Sequence, residues 1–152
     1  MSVESKLQAL GITLEVPGPP IANFQLTARS GSLVFVSGHG PRKPDGGLVA
    51  GKLGRDLTIE QGYEAARLTA ISCLASLKAE LGDLERVVRF VKLLGMVNCT
   101  EDFGDQPRVI NGCSDLLVEL FGERGRHARS AVGMQSLPFG MAVEIEMVVE
   151  VN

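Results

Sequence analysis

Between Arg86 and Val97 the chain reads Arg-Val-Val-Arg-Phe-Val-Lys-Leu-Leu-Gly-Met-Val, a strand-forming run with apolar residues on both of its faces. A strand exposed on one face alternates apolar with polar residues, so a run apolar on both is expected in the middle of a sheet. The rest of the chain must therefore flank this strand and cover it. Two segments can supply the cover. Thr58 to Leu81 opens with a capping-box pair, Thr58 and Gln61, and repeats Tyr63, Ala66, Ala70, Cys73, Leu77 and Leu81 at helical spacing before Gly82 ends it. A second helix is expected from Pro107, a residue suited to a first helical turn, with Val109, Ile110, Cys113, Leu116, Leu117 and Leu120 on its core face and Gly122 at its end.

The other strands are expected at Asn23 to Arg29 and Ser32 to Ser37, a hairpin turned at Ser30-Gly31, and at two C-terminal segments on either side of a Leu137-Pro138 loop. Residues 1–11 read as an additional short amphipathic helix stopped by Gly11, and Gly38 to Arg55 as a long Gly- and Pro-rich loop with a brief strand near Leu48 and Val49. The order ββαβαββ predicts one α+β domain over residues 1–152, a mixed β-sheet with two long helices packed on one face. Two helices cannot cover both faces of such a sheet. Self-association through the uncovered face is the expected remedy.

At 152 residues, with 45% hydrophobic and 22% charged residues, the composition is that of an ordinary globular domain. No apolar run approaches the roughly 18 residues that would span a bilayer. The first ten residues lack a basic region followed by an apolar one, so the protein is expected to be cytoplasmic and free of membranes. Cys73, Cys99 and Cys113 are odd in number and widely spaced; they indicate neither a disulfide framework nor a zinc site, and each is expected as a small buried hydrophobe. A net charge of −3 counts against nucleic acid as a partner.

Candidate chemistry is sparse. Gly46-Gly-Leu-Val-Ala-Gly51-Lys52-Leu53 imitates a phosphate-binding loop, but Leu53 replaces the hydroxyl that would hold magnesium and no helix starts there. Neither histidine has the partners of a metal site, so no metal or cofactor is expected. His39, in Ser37-Gly-His-Gly-Pro41, lies where glycines let a ligand approach the backbone, although a loop histidine bonded to its own turn has the same sequence appearance. His127 reads as a strand-end residue. The C-terminal segments carry more. If they close a simple hairpin with Met134 opposite Met141, Ala131 faces Glu144 and Arg129 faces Glu146, all on one side of the sheet, while Val143, Ile145, Met147, Val149 and Val151 point into the core. Spacing alone slightly favours an ordinary cross-strand ion pair here.

The run Ala128-Arg-Ser-Ala-Val-Gly, Leu137-Pro138 and Val143-Glu-Ile-Glu146 resembles the C-terminal signature of the RidA (YjgF-type, L-PSP) reactive-intermediate deaminases. Phe24 followed at thirteen residues by Ser37-Gly38, Val88-Arg-Phe-Val-Lys92, and Val109-Ile-Asn111 extend the likeness over nearly the whole chain beyond the first helix. The resemblance implies a chorismate-mutase-like fold, a homotrimer with ligand clefts between subunits, and hydrolysis of reactive 2-enamine or 2-imino acids to 2-keto acids and ammonia.

Carried onto this chain, the resemblance implies that Arg129 grips the carboxylate of a small metabolite, Glu144 orients a water, and Asn111 lines the cleft. Phe24, Ser37, Gly38, His39 and Ala131 complete the expected substrate-binding set. A guanidinium can hold a carboxylate by two hydrogen bonds, and a carboxylate can deprotonate a water that attacks a C=N carbon. Phe24 stands where the typical deaminases have a tyrosine and Ala131 where many have a cysteine, which places the chain in a divergent subgroup. A non-catalytic trimer that binds a small carboxylate, as a sensor or regulator, is the second expectation. Endoribonuclease activity, suggested only by an older family name, is the third, and the acidic composition counts against it.

Overall fold

The computed structural model describes all residues, Met1–Asn152. Its elements follow the expected order: α1 (Val3–Ala9), β1 (Thr27–Ser30), β2 (Leu33–His39), α2 (Ile59–Leu81), β3 (Val87–Asn98), α3 (Gln106–Phe121), β4 (Ala128–Met134) and β5 (Val143–Val151). The five strands form one sheet in the order β1-β2-β5-β3-β4. Helices α2 and α3 pack side by side and against the sheet, α2 on β5 and β2, α3 on β3 and β4. The architecture is the predicted α+β one, a mixed sheet with two long helices on one face.

The local reasons are those of the sequence. Thr58 accepts the Gln61 amide and Gln61 returns a bond to the Thr58 amide, closing the capping box, and Pro107 lies in the first turn of α3. The inward sides of β2, β3 and β5, including Val34, Val36, Phe90, Leu93, Val97, Ile145, Met147 and Val149, join the apolar stripes of both helices in one contiguous cluster. Burying each Leu or Ile in it contributes roughly 1.5–3 kcal/mol. Between the helices, Gly112 of α3 lies against the Tyr63 carbonyl of α2, so close that a Cβ on Gly112 would stand 2.8 Å from the carbonyl carbon. Only a residue without a side chain allows that approach.

The C-terminal strands depart from expectation. They do not form a hairpin: β4 pairs in parallel with β3 and β5 pairs antiparallel to β3, so β3 runs between them. Each strand-helix-strand unit returns the chain in the same direction, so β3 runs parallel to β2 across α2 and β4 parallel to β3 across α3; β4 takes the outer edge of β3, and β5 fills the place between β3 and β2. The connection from Gln135 to Ala142, with a turn at Pro138–Gly140, then carries β5 to the other edge of β3, where β2 closes on it.

This changes which side chains share a face. Residues opposite one another across strands point the same way. Arg129 lies in register with Leu93 and through it with Met147, both buried under the helices, whereas Glu144 lies in register with Met96 and Val132, and Glu146 with Leu94 and Ser130. Arg129 and the glutamates are therefore on opposite faces of the sheet, not on one side. The face away from the helices is mixed in character: Phe35 and Val132 stay 47% and 38% exposed, among Lys92, Glu144 and Glu146.

Candidate functional site

Two groups of expected site residues emerge, one around Glu144 and one around Arg129. The first is built by an irregularity in β2. Its register against β5 shifts between Val36 and His39, and the extra length at Ser37-Gly38 brings Gly38 onto the Glu144 carboxylate. A Cβ on Gly38 would stand 3.0 Å from Glu144 Cδ and closer still to Oε2. Burial and the neighbouring Glu146 together push the Glu144 carboxyl above its ordinary range, burial being the larger cause. Ser37 donates its hydroxyl to the Gln25 carbonyl at 2.6 Å and its amide to the Leu26 carbonyl at 2.9 Å, which ties the segment behind Phe24 to the same spot. Phe24 is 48% exposed and presents no hydroxyl.

His39 does not stand with Glu144. The shift turns its ring toward the helices, where Nδ1 lies 2.5 Å from the Ser37 carbonyl and Nε2 lies 2.8 Å from Ser76 Oγ of α2. A carbonyl only accepts, so Nδ1 carries the proton and neutral Nε2 accepts from the Ser76 hydroxyl. Burial, the dominant cause, lowers its pKa below 6.5. His39 thus braces the irregular segment from behind.

The second group lies at the free edge of the sheet, under α3. Arg129 donates through Nη1 to Ser114 Oγ at 3.0 Å and through Nη2 to the Pro107 carbonyl at 3.4 Å. Pro107 and Ser114 are seven residues apart on α3, hence on one stripe, and Asn111 lies on that stripe between them. Ala131 is two residues further along β4, on the face of Arg129, and packs against the core. Cys113, behind Arg129, is fully buried and its thiol is pushed up to about 12 by desolvation, which leaves it inert.

Arg129 has no carboxylate partner; the ion pairs of the chain are all formed by other residues. The ordinary cross-strand ion pair is thereby removed as an account of the C-terminal charges. The guanidinium is held by two neutral acceptors and keeps further N–H groups for a ligand, a suitable arrangement for a planar anion such as a carboxylate. One chain by itself does not bring Arg129 and Glu144 together. Ser114, Ser76 and His127 were not among the expected site residues; the spacing of Ser114 to Asn111 and Pro107 on α3 was the one available signal for it.

No helix is long and apolar enough to cross a membrane. Residues 4–150 match the family model described as "YjgF/chorismate mutase-like, putative endoribonuclease". The chain is 46% identical over 151 residues to Protein TCP17 of Trypanosoma cruzi, a match that spans 99% of this chain and 94% of that protein. Among solved structures it is similar to a protein from Agrobacterium tumefaciens described as having unknown function, with 44% identity and a TM-score of 0.92 over 99% of this chain and 92% of the other. It is also similar to a protein from Shewanella oneidensis described as a "putative endoribonuclease", with 32% identity and a TM-score of 0.94 over 99% and 100% of the two chains.

Proposed function

We propose, given that this chain belongs to the YjgF/chorismate mutase-like family, that it is a homotrimeric hydrolase of reactive 2-imino and 2-enamino acids. The observation that carries this reading is Arg129, fixed by neutral partners and free of any carboxylate of its own chain. Because Glu144 is on the other face of the sheet, a complete site needs a second copy: Arg129 of one subunit facing Gly38 and Glu144 of the next. The exposed apolar residues of the open face, Phe35 and Val132 among them, support such an association.

In the proposed reaction Arg129 anchors the substrate carboxylate and Glu144 takes a proton from a water as its oxygen attacks the C=N carbon. The C=N nitrogen, protonated as the iminium, becomes the amine of a tetrahedral carbinolamine; Glu144 returns its proton to that amine, which leaves as ammonia, and the carbinolamine hydroxyl releases its proton to solvent as its C–O bond becomes the carbonyl of a 2-keto acid. A carboxyl raised toward neutrality suits this shuttle better than one of ordinary pKa. Backbone groups near Gly38 and Ala131 supply polarity for the developing charge. No nucleophilic side chain is required, which accommodates Ala131.

The test is to generate 2-iminobutyrate enzymatically and follow its conversion to 2-ketobutyrate and ammonia with wild type, Arg129→Ala and Glu144→Gln. Wild type should accelerate the reaction and both variants should not; equal, uncatalysed rates in all three sink the activity. The second reading, a trimer that binds a small carboxylate without turning it over, is favoured by the missing hydroxyl at Phe24 and the missing thiol at Ala131. Binding of 2-ketobutyrate that depends on Arg129, with no imine turnover, would select it.

A further inference from the structure

Beyond the residues already placed at the site, Arg129 is backed by a chain of hydrogen bonds that ends in a main-chain carbonyl. His127, two residues before it on the way into β4, places Nδ1 2.7 Å from the Gly125 carbonyl and Nε2 2.9 Å from Ser114 Oγ. The same Ser114 oxygen receives Arg129 Nη1 at 3.0 Å. The directions of these bonds follow from what each group can do. The Gly125 carbonyl only accepts, so the proton of the neutral ring is on Nδ1. Nε2 is then a lone pair, and only the Ser114 hydroxyl can donate to it. With its proton committed to His127, Ser114 offers Arg129 an oxygen lone pair, the one role compatible with a guanidinium, which has donors only. The partly buried setting of His127 and the adjacent Arg129 both favour its neutral form.

We propose that Ser114 and His127 are positioning residues for Arg129: neutral His127 orients the Ser114 hydroxyl, and the oriented hydroxyl, with the Pro107 carbonyl as second anchor, sets the plane of the guanidinium that receives a substrate carboxylate. This rests on the reading that Arg129 binds a carboxylate. A bidentate guanidinium-carboxylate pair is planar and directional, so a guanidinium free to rotate on its long side chain binds more weakly than one fixed at two points. His127 acts on Arg129 only through Ser114. Loss of either residue should therefore have the same effect, and loss of both should be no worse than loss of one.

The experiment measures 2-ketobutyrate binding by calorimetry and, in parallel, KM and kcat for 2-iminobutyrate, in wild type, Ser114→Ala, His127→Phe, the double variant, Ser114→Thr and Arg129→Ala. Ser114→Ala and His127→Phe should each raise Kd and KM about ten-fold while kcat stays within about two-fold, as expected when a group that orients a binding residue is removed. The double variant should match the single ones, and Ser114→Thr, which keeps the hydroxyl, should stay near wild type. If Arg129→Ala weakens binding and the Ser114 and His127 variants do not, or if their effects simply add, the proposal is overturned while the carboxylate reading stands. If wild type binds 2-ketobutyrate no better than Arg129→Ala, the carboxylate reading falls and takes the proposal with it. Should Ser114→Ala fail to fold, His127→Phe and Ser114→Cys, of nearly the same size with a much poorer acceptor, carry the same comparison.

Discussion

Gly38 lies directly against the carboxylate of Glu144, with no room for a side chain between the β2 backbone and the glutamate. A Cβ at position 38 would stand 3.0 Å from Glu144 Cδ, inside any normal carbon-carbon contact. The glutamate therefore lies closer to the β2 backbone than any residue with a side chain at position 38 would allow.

Gly38→Ala should displace that carboxylate without unfolding the chain, because Glu144 can swing toward the open face. If Glu144 handles the water, the rate of 2-iminobutyrate hydrolysis should fall by roughly 10²-fold, at the lower end of what a positioned general base contributes. Steady-state kinetics beside a thermal melt would check it: wild-type kinetics in a folded Gly38→Ala chain would argue that Glu144 is a bystander.

Glu144 should also cost stability at neutral pH. Its carboxyl is raised in the folded chain by burial and by Glu146, so the unfolded chain loses this proton at lower pH than the folded one. Between the two pKa values the folded state binds more protons, and stability falls as pH rises through that window. Glu144→Gln should therefore be at least as stable as wild type at pH 7 in urea titration, although inactive. Glu146→Gln should move the acid limb of the activity profile to lower pH, since one cause of the raised carboxyl is gone. An unmoved limb would assign it to another group.

The two histidines act in the opposite sense. His39 and His127 are both held below 6.5 by burial. The unfolded chain takes up their protons first as pH falls below about 6.5, so stability is level above that pH and declines beneath it. Urea midpoints at pH 7.5 and 5.5 should differ in wild type, and the difference should shrink in His39→Gln. An equal difference in both chains would mean that the Ser37–His39–Ser76 brace does not hold the ring neutral.

Gly112→Ala reverses an ordinary rule. Alanine in a helix interior normally gains about 1 kcal/mol over glycine, but here the added Cβ would meet the Tyr63 carbonyl of α2. Separating the two helices should cost about 1–3 kcal/mol in urea unfolding, the usual penalty of overpacking. Gly104→Ala, where a Cβ meets nothing, is the control and should change little.

Much of the architecture can be read from particular residues. The doubly apolar run of β3, the capping box of Thr58 and Gln61, and Pro107 in the first turn of α3 are local signals whose physics acts within a few residues, and each element is where they place it. The odd-numbered residues of β5 from Val143 to Val151 point into the core as their alternation requires. The pairing of β4 was not legible in the same way. Its apolar pattern suits either neighbour; the helix between β3 and β4 sets only its direction, and its place at the edge follows from β5 occupying the gap between β2 and β3. The proximity of Gly38 to Glu144 is likewise hidden, because it depends on a register shift between strands more than a hundred residues apart.

The sequence by itself determined which segments are helices and strands, which faces are apolar, and that an arginine and a file of glutamates end the chain. These follow from side-chain chemistry repeating at the period of the backbone. Only the tertiary structure decided that β3 separates β4 from β5, and so placed Arg129 under α3 with Ser114 and His127 and Glu144 on the opposite face with Gly38. The physical reason is that a strand's face is a local property, whereas the face it shares with another strand depends on who lies between them.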